Sequence, residues 1–186
     1  DGVVTNAYAL VRPCGHHAEA DRGRGFCIFS NVAITVKDIL SRNDISRVAV
    51  VDWDVHHGNG TESAFYENPN VLTISLHEDS LYPYNTGAVE DRGEGIGEGF
   101  NINVPLPPGS GGGAYHAAME RIVLPALETF KPDMILVASG LDASTWDPLG
   151  HMMLLSTHYR SMTQQILDTA TQICQGRLLV CHEGGY

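Results

Sequence analysis

The stretch that decides the fold is RVAVVDWDVHHGNG, residues 47–60. Its first half is a near-continuous Val-rich run, the pattern of a strand covered on both faces. Its second half turns at once to Asp52, Asp54, His56, His57 and Asn59. In open α/β sheets, ligands bind just past the C-terminal ends of the strands, where these polar residues fall.

Working outward, further strands are expected at AYALVR (7–12), VLTISL (71–76), DMILVAS (133–139) and RLLVC (177–181). Between them, helices are expected at 31–40 with Asn31 as a cap, at 61–66 capped by Thr61, over about 114–130, and at 157–175. Pro125 stands where it would kink the third of these. This alternation predicts an α/β fold, an open and mostly parallel sheet with helices on both faces. A closed eight-fold barrel needs about 250 residues and more units. The Gly- and Pro-rich stretch 77–113 reads as one long irregular loop, a length that usually carries function.

At 186 residues, one domain is expected over 1–186, able to bury roughly 70% of its unfolded surface. The chain starts just before a strand and stops directly after one, so the domain is expected to be partial at both ends. With 11 Lys+Arg against 22 Asp+Glu, the net charge of −11 argues against a nucleic-acid partner and favours cationic ones. No apolar run approaches the roughly 20 residues of a membrane span, and no signal peptide is visible. The four cysteines lack CxxC spacing and read as free thiols in a reducing, cytoplasmic setting.

The polar residues that look costly cluster after the expected strands: Arg12 to His17, Asp52 to Asn59, His77, Gly140 to Asp147, and His182 to Tyr186. Asp52, Asp54 and His56 alternate, so an extended backbone would turn all three to one side. Asp54 and His56, joined by Asp142, make a plausible open zinc site of two carboxylates and one imidazole. A hydrogen-bonded Asp/His cluster, or a magnesium or manganese site, is the competing reading. Magnesium prefers oxygen, which makes His56 an awkward ligand for it. His16 and His17 could take a proton from water and return it to a leaving amine, with Asp52 and Asn59 as candidate partners. Two polar loop histidines is the plainer alternative. Gly184 and Gly185 permit a tight turn, and Tyr186 could donate to a developing oxyanion. GSGGG (109–113) and GEGIGEG (93–99) lack what a phosphate loop requires.

The ordered set RPCGHHAE, GFCIFSNVAI, VDWDVHHGNGT, SLHEDSLYP, GLDASTWDPLG and HEGGY resembles the zinc-dependent histone deacetylase family of the arginase–deacetylase fold. The likeness is to class II and its bacterial branch, including acetylpolyamine amidohydrolases. It runs over nearly the whole chain, and it implies a sheet of about eight strands. It further implies Asp54, His56 and Asp142 as ligands of one zinc ion. His17 would be the general base and acid, with His16 as its electrostatic partner. Asp52 stands behind His16, and Asn59 stands where class I enzymes have Asp. Tyr186 would be the transition-state tyrosine. Gly25, Phe26, Tyr82 and Leu149 would line the acyl-lysine tunnel, with Tyr82 in place of the usual Phe. Cys14 departs from the common Pro of RPPGHH.

The resemblance also implies structural potassium, at Asp52, Asp54, His56, Ser75 and Leu76, and around Phe65, Asn68 and Val71. The implied activity is removal of acetyl from acetyl-lysine, with acetylpolyamine or another small acylated amine as the alternative substrate. One polyamine-selective branch has Glu at the position of Leu149. A catalytically inactive acyl-group binder is the non-enzymatic alternative. Oligomerisation is compatible with all of these.

Overall fold

In the computed structural model, residues 4–42 and 44–186 are described. The single domain expected over 1–186 includes four positions outside that set. Among the described residues, six strands form one sheet: β1 (Asn6–Ala9), β2 (Val48–Asp52), β3 (Val71–Glu78), β4 (Asn101–Leu106), β5 (Met134–Ser139) and β6 (Leu178–His182). Their order is β1-β6-β5-β2-β3-β4, and every pairing is parallel. The helices are α1 (Asn31–Leu40), α2 (Asn59–Phe65), α3 (Gly112–Ala118), α4 (Leu124–Phe130) and α5 (Ser156–Cys174).

Strand periodicity explains both layers. Val48 and Val50 of β2 turn to one face with Leu136, Ala138 and Cys181, and meet Val32 and Val36 of α1 and Phe65 of α2. Ala49 and Val51 turn to the other face with Ile74, Ile135 and Val137. There they meet Tyr115 and Met119, Leu127 of α4, and Met162 and Ile166 of α5. A strand buried on both sides can spare no alternate position for a polar residue, hence the unbroken apolar run.

The order of the strands also locates the site. From β2 the chain steps outward to β3 and β4 along one side, then returns to β5 and β6 on the other. The switch point therefore lies between β2 and β5. In open sheets the crevice beyond such a point is where ligands bind. The loops leaving β2 and β5 carry Asp54, His56 and Asp142.

Several boundaries differ from the sequence expectation. The first strand ends at Ala9 instead of residue 12, because β1 pairs only with β6 and the chain leaves the sheet ahead of Pro13. Ser30, not Asn31, caps α1, and the Asn31 amide instead donates to the Pro13 carbonyl at 3.0 Å. Helix α2 begins at Asn59 with Gly58 as its cap, since the N–H groups of Gly60 and Thr61 find the His16 carbonyl. Thr61 thus lies inside the helix. Pro125 lies inside one unbroken helical run over 112–130, directly after a π-helical segment at Met119–Val123, whose wider turn accommodates a residue without an N–H.

The largest miss is β4 within 77–113, which also holds the last two residues of β3. As an edge strand β4 carries Asn101 and Asn103, whose amides donate to the Glu62 carboxylate at 2.6 and 2.7 Å. Those polar residues and Pro105 hide its strand character.

Candidate active site

Asp54 and Asp142 arrive from neighbouring strand ends and are fully buried. Backbone donors fix both: the N–H of Val55 reaches Asp142 Oδ1 at 2.9 Å, and the N–H of Gly184 reaches Asp54 Oδ2 at 2.8 Å. His56 Nδ1 stands 2.9 Å from Asp54 Oδ1 and 3.1 Å from Asp142 Oδ2. A side chain at Gly184 would collide with both carboxylates, so only glycine lets that backbone close over the cluster.

Burial and the charge of Asp54 push the Asp142 carboxyl up to about 7. Burial opposes a charge on His56, but its bonds to Asp142 and Asp54 raise it to about 9. Two adjacent buried carboxylates call for a cation. One donor atom from each of the three residues lies within 4.8 Å of the others. This two-oxygen, one-nitrogen set fits a metal ion with a coordination position left open.

The strand ends at Asp52, so the expected extended alternation does not continue to His56. Side-chain bonds do that work instead, with Asp52 Oδ1 accepting the Asp54 N–H and Asp54 Oδ1 accepting the His56 N–H.

His16 and His17 lie side by side, ring centroids 4.0 Å apart. His16 Nδ1 meets Asp52 Oδ2 at 2.8 Å, and His17 Nδ1 meets Asn59 Oδ1 at 2.8 Å. Burial opposes charge on both rings. At His16 the carboxylates of Asp54 and Asp52 overcome it and raise the pKa well above the usual value. At His17 burial and the neighbouring His16 drive the pKa down to about 2.

A cavity of about 550 Å³ opens above the cluster, lined by His17, Gly25, Phe26, His56, Leu81, Tyr82, Tyr84, Leu149 and Tyr186. All four expected tunnel residues are among them. Gly25 and Phe26 both have positive φ, +54° and +65°. A Cβ at Gly25 would strike the His17 ring, and Phe26 carries about 1 kcal/mol or more of strain to present its ring to the cavity. Tyr186 packs against Phe26 and His56, and its N–H is held by Asp147 Oδ2 at 2.6 Å.

His77 does not join the cavity. It is buried between Ser75 Oγ and the Gly87 carbonyl, where burial and His57 lower its pKa to about 4.

Three contributors had gone unassigned. Glu183, buried within HEGGY, accepts the N–H groups of Gly15 and His16 at 2.6 and 3.1 Å and so holds the histidine loop. A carboxylate directly after a buried strand was its only signal. Glu19 bonds Asn59, with nothing in the sequence to link positions 40 apart. Cys27 Sγ receives the His17 N–H at 3.4 Å and touches Cys14 Sγ at 3.4 Å, and all four thiols are free.

With fold and site in place, the chain belongs to the histone deacetylase domain family, whose pattern matches residues 1–186. Among its relatives is the histone deacetylase-like amidohydrolase of Pseudomonas aeruginosa, 52% identical over 185 residues, covering 100% of this chain and 49% of that protein. Histone deacetylase clr3 of Schizosaccharomyces pombe is 44% identical over 192 residues, covering 100% of this chain and 27% of that protein.

Two crystal structures share the arginase–deacetylase fold with it. The HDA15 HD domain has a TM-score of 0.92 at 41% identity, over 98% of this chain and 53% of that one. An acetylpolyamine aminohydrolase from Burkholderia pseudomallei has a TM-score of 0.91 at 34% identity, over 99% and 52%. The chain thus spans about half the length, or less, of the relatives it matches. It is related both to eukaryotic histone deacetylases and to bacterial acetylpolyamine amidohydrolases. Among the described residues, no helix is long and apolar enough to cross a membrane.

Proposed function

We propose that the whole protein is a zinc-dependent amidohydrolase that removes acetyl groups from acetyl-lysine side chains. The observation that carries this reading is the meeting of the Asp54–His56–Asp142 cluster with His17 and Tyr186 around one cavity. Zinc on those three ligands would polarise the acyl carbonyl and lower the pKa of water. Structural potassium near Asp52 and Ser75 belongs to the same proposal.

His17 Nε2 takes a proton from the water that attacks the acetyl carbon. The Tyr186 hydroxyl donates to the oxygen on which negative charge develops. His17 then returns the proton to the amine nitrogen as the C–N bond breaks, releasing acetate and free amine. His16, stacked on His17 and bonded to Asp52, makes protonated His17 a stronger acid, which favours passing the proton on to the leaving nitrogen. An acyl-group reader would need neither a proton-transfer pair nor a positioned phenol.

Leu149 and the aromatic walls favour an acyl-lysine chain, since an apolar residue there offers no carboxylate to a distal ammonium. Acetylpolyamine hydrolysis is the second reading, supported by the likeness to the Burkholderia enzyme. The test is kcat/KM of the whole zinc-loaded protein for an acetyl-lysine peptide beside acetylputrescine and acetylspermidine. A preference above about 100-fold for a polyamine, about 2.7 kcal/mol, would overturn the acetyl-lysine reading. No turnover of any of them would overturn the hydrolase reading.

A further inference from the structure

We infer that Glu19 is a positioning residue, which selects the proton-accepting nitrogen of His17 by orienting the Asn59 amide. The inference rests on the reading of His17 as the proton-transfer group.

Asn59 is buried between three partners. Its Nδ2 donates to Glu19 Oε1 at 2.7 Å and lies 3.4 Å from the His17 carbonyl oxygen. Both of these can only accept, so this end of the amide is the NH₂. The other end, Oδ1, faces His17 Nδ1 at 2.8 Å. A carbonyl oxygen also only accepts, so Nδ1 carries the proton, and the neutral ring keeps its lone pair on Nε2.

Turning the amide by 180° would set Oδ1 against the Glu19 carboxylate, two acceptors in contact. It would also present NH₂ to Nδ1, moving the ring proton to Nε2 and leaving no lone pair there to receive one from water. Glu19 makes that wrong orientation costly. The carboxylate is itself tied down, with Oε2 accepting Arg22 Nε at 2.8 Å and Oε1 accepting Arg24 Nη1 at 3.1 Å. Arg24 Nε also donates to the Tyr82 hydroxyl at 3.2 Å, and the Tyr82 ring meets the His17 ring edge-on, centroids 5.2 Å apart. The carboxylate that orders the amide is thus anchored to the cavity wall. His16 needs no such guard, because its partner Asp52 has no donor end to present.

The test is a double-mutant cycle in the whole protein, pairing Glu19→Ala with Asn59→Asp. Glu19→Ala alone is expected to lower kcat about 10-fold or more with KM changed less than about two-fold, as for a lost proton acceptor. In the Asn59→Asp background, where position 59 has no donor end, Glu19→Ala should cost less than about two-fold. Glu19→Gln, which keeps an acceptor oxygen for Nδ2, should recover most of the loss.

A ¹⁵N–¹H multiple-bond correlation spectrum of His17 reads the tautomer directly. Nδ1–H is expected in the parent and a growing Nε2–H population in Glu19→Ala. Equal kcat losses in both backgrounds, or an unchanged His17 tautomer in folded Glu19→Ala, would overturn the proposal. If the parent hydrolyses no acylated amine, the function reading falls while the spectrum still decides this one.

Discussion

His16 and His17 are consecutive, both buried, and both bonded through Nδ1 at 2.8 Å, yet their surroundings make them opposite chemical objects. The carboxylates beside one ring push its pKa well up, and burial beside an uncharged amide pushes the other's down. Burial alone would neutralise both, so the partner decides: Asp52 and Asp54 supply a negative field, whereas Asn59 supplies a dipole without charge. In the proposed hydrolysis the neutral ring accepts the proton, and the positive field of its neighbour helps it give that proton up again. The difference comes from single side chains at and just after the end of β2, aimed by the backbone into two neighbouring rings.

The sharpest way to break this division is to remove each ring in turn. His17→Ala should lower kcat by about 10³-fold at unchanged metal content, within the range of a lost general base. His16→Ala should cost about 10-fold to 100-fold, since a proton acceptor survives. Steady-state kinetics with metal analysis of both variants checks this. Equal losses, or a larger one at His16, would reverse the assignment.

Tyr186→Phe tests the neutral donor that the proposal sets beside the two histidines. The variant should retain its metal and lose about 10²-fold in kcat. Near-parental turnover would remove Tyr186 as the oxyanion donor.

How much of this contrast was legible beforehand follows from where the partners lie. Val48 to Val51 announced their strand because both faces of β2 are buried, and the polar break at Asp52 announced the site. The donor set was readable for the same reason, as each member follows a strand end. Asn101 and Asn103 hid β4, because an edge strand can give inward positions to side chains that bond Glu62. Glu19 and Glu183 were silent for another reason. One bonds a residue 40 positions on, and the other bonds N–H groups 167 and 168 positions back. Period and composition report burial, not pairing across such distances.

Glu183 gives a stability version of the same comparison. Its carboxylate holds the backbone of Gly15 and His16, so Glu183→Ala strands two buried donors. The expected cost is about 2 kcal/mol, seen as a lower urea midpoint at unchanged m-value. Glu183→Gln, which keeps an acceptor, should lose less. A loss within error for the alanine variant would show that the histidine loop holds itself.

The smallest expected effect lies at the cavity mouth, where the same contrast between charged and neutral partners recurs. Leu149 is partly exposed, lines the cavity, and has its N–H held by Asp147 Oδ1 at 2.9 Å, so its backbone position is set independently of its side chain. Replacing it with Glu adds a carboxylate where a long cationic substrate would pass, and disturbs little of the buried core. A charge-assisted hydrogen bond at such a wet mouth is worth at most about 1 kcal/mol, roughly 5-fold, below what the same bond would give when buried. Leu149→Glu should therefore raise kcat/KM for acetylspermidine about 3-fold to 5-fold relative to an acetyl-lysine peptide, mainly through KM. The gain should shrink at high salt, because an exposed ion pair is screened over about 10 Å at 0.1 M ionic strength. Acetylputrescine, with its ammonium at a different reach, should gain less. An equal rise for both polyamines would point to a general attraction of cations by the acidic chain. No change for either would place the substrate's distal end away from Leu149.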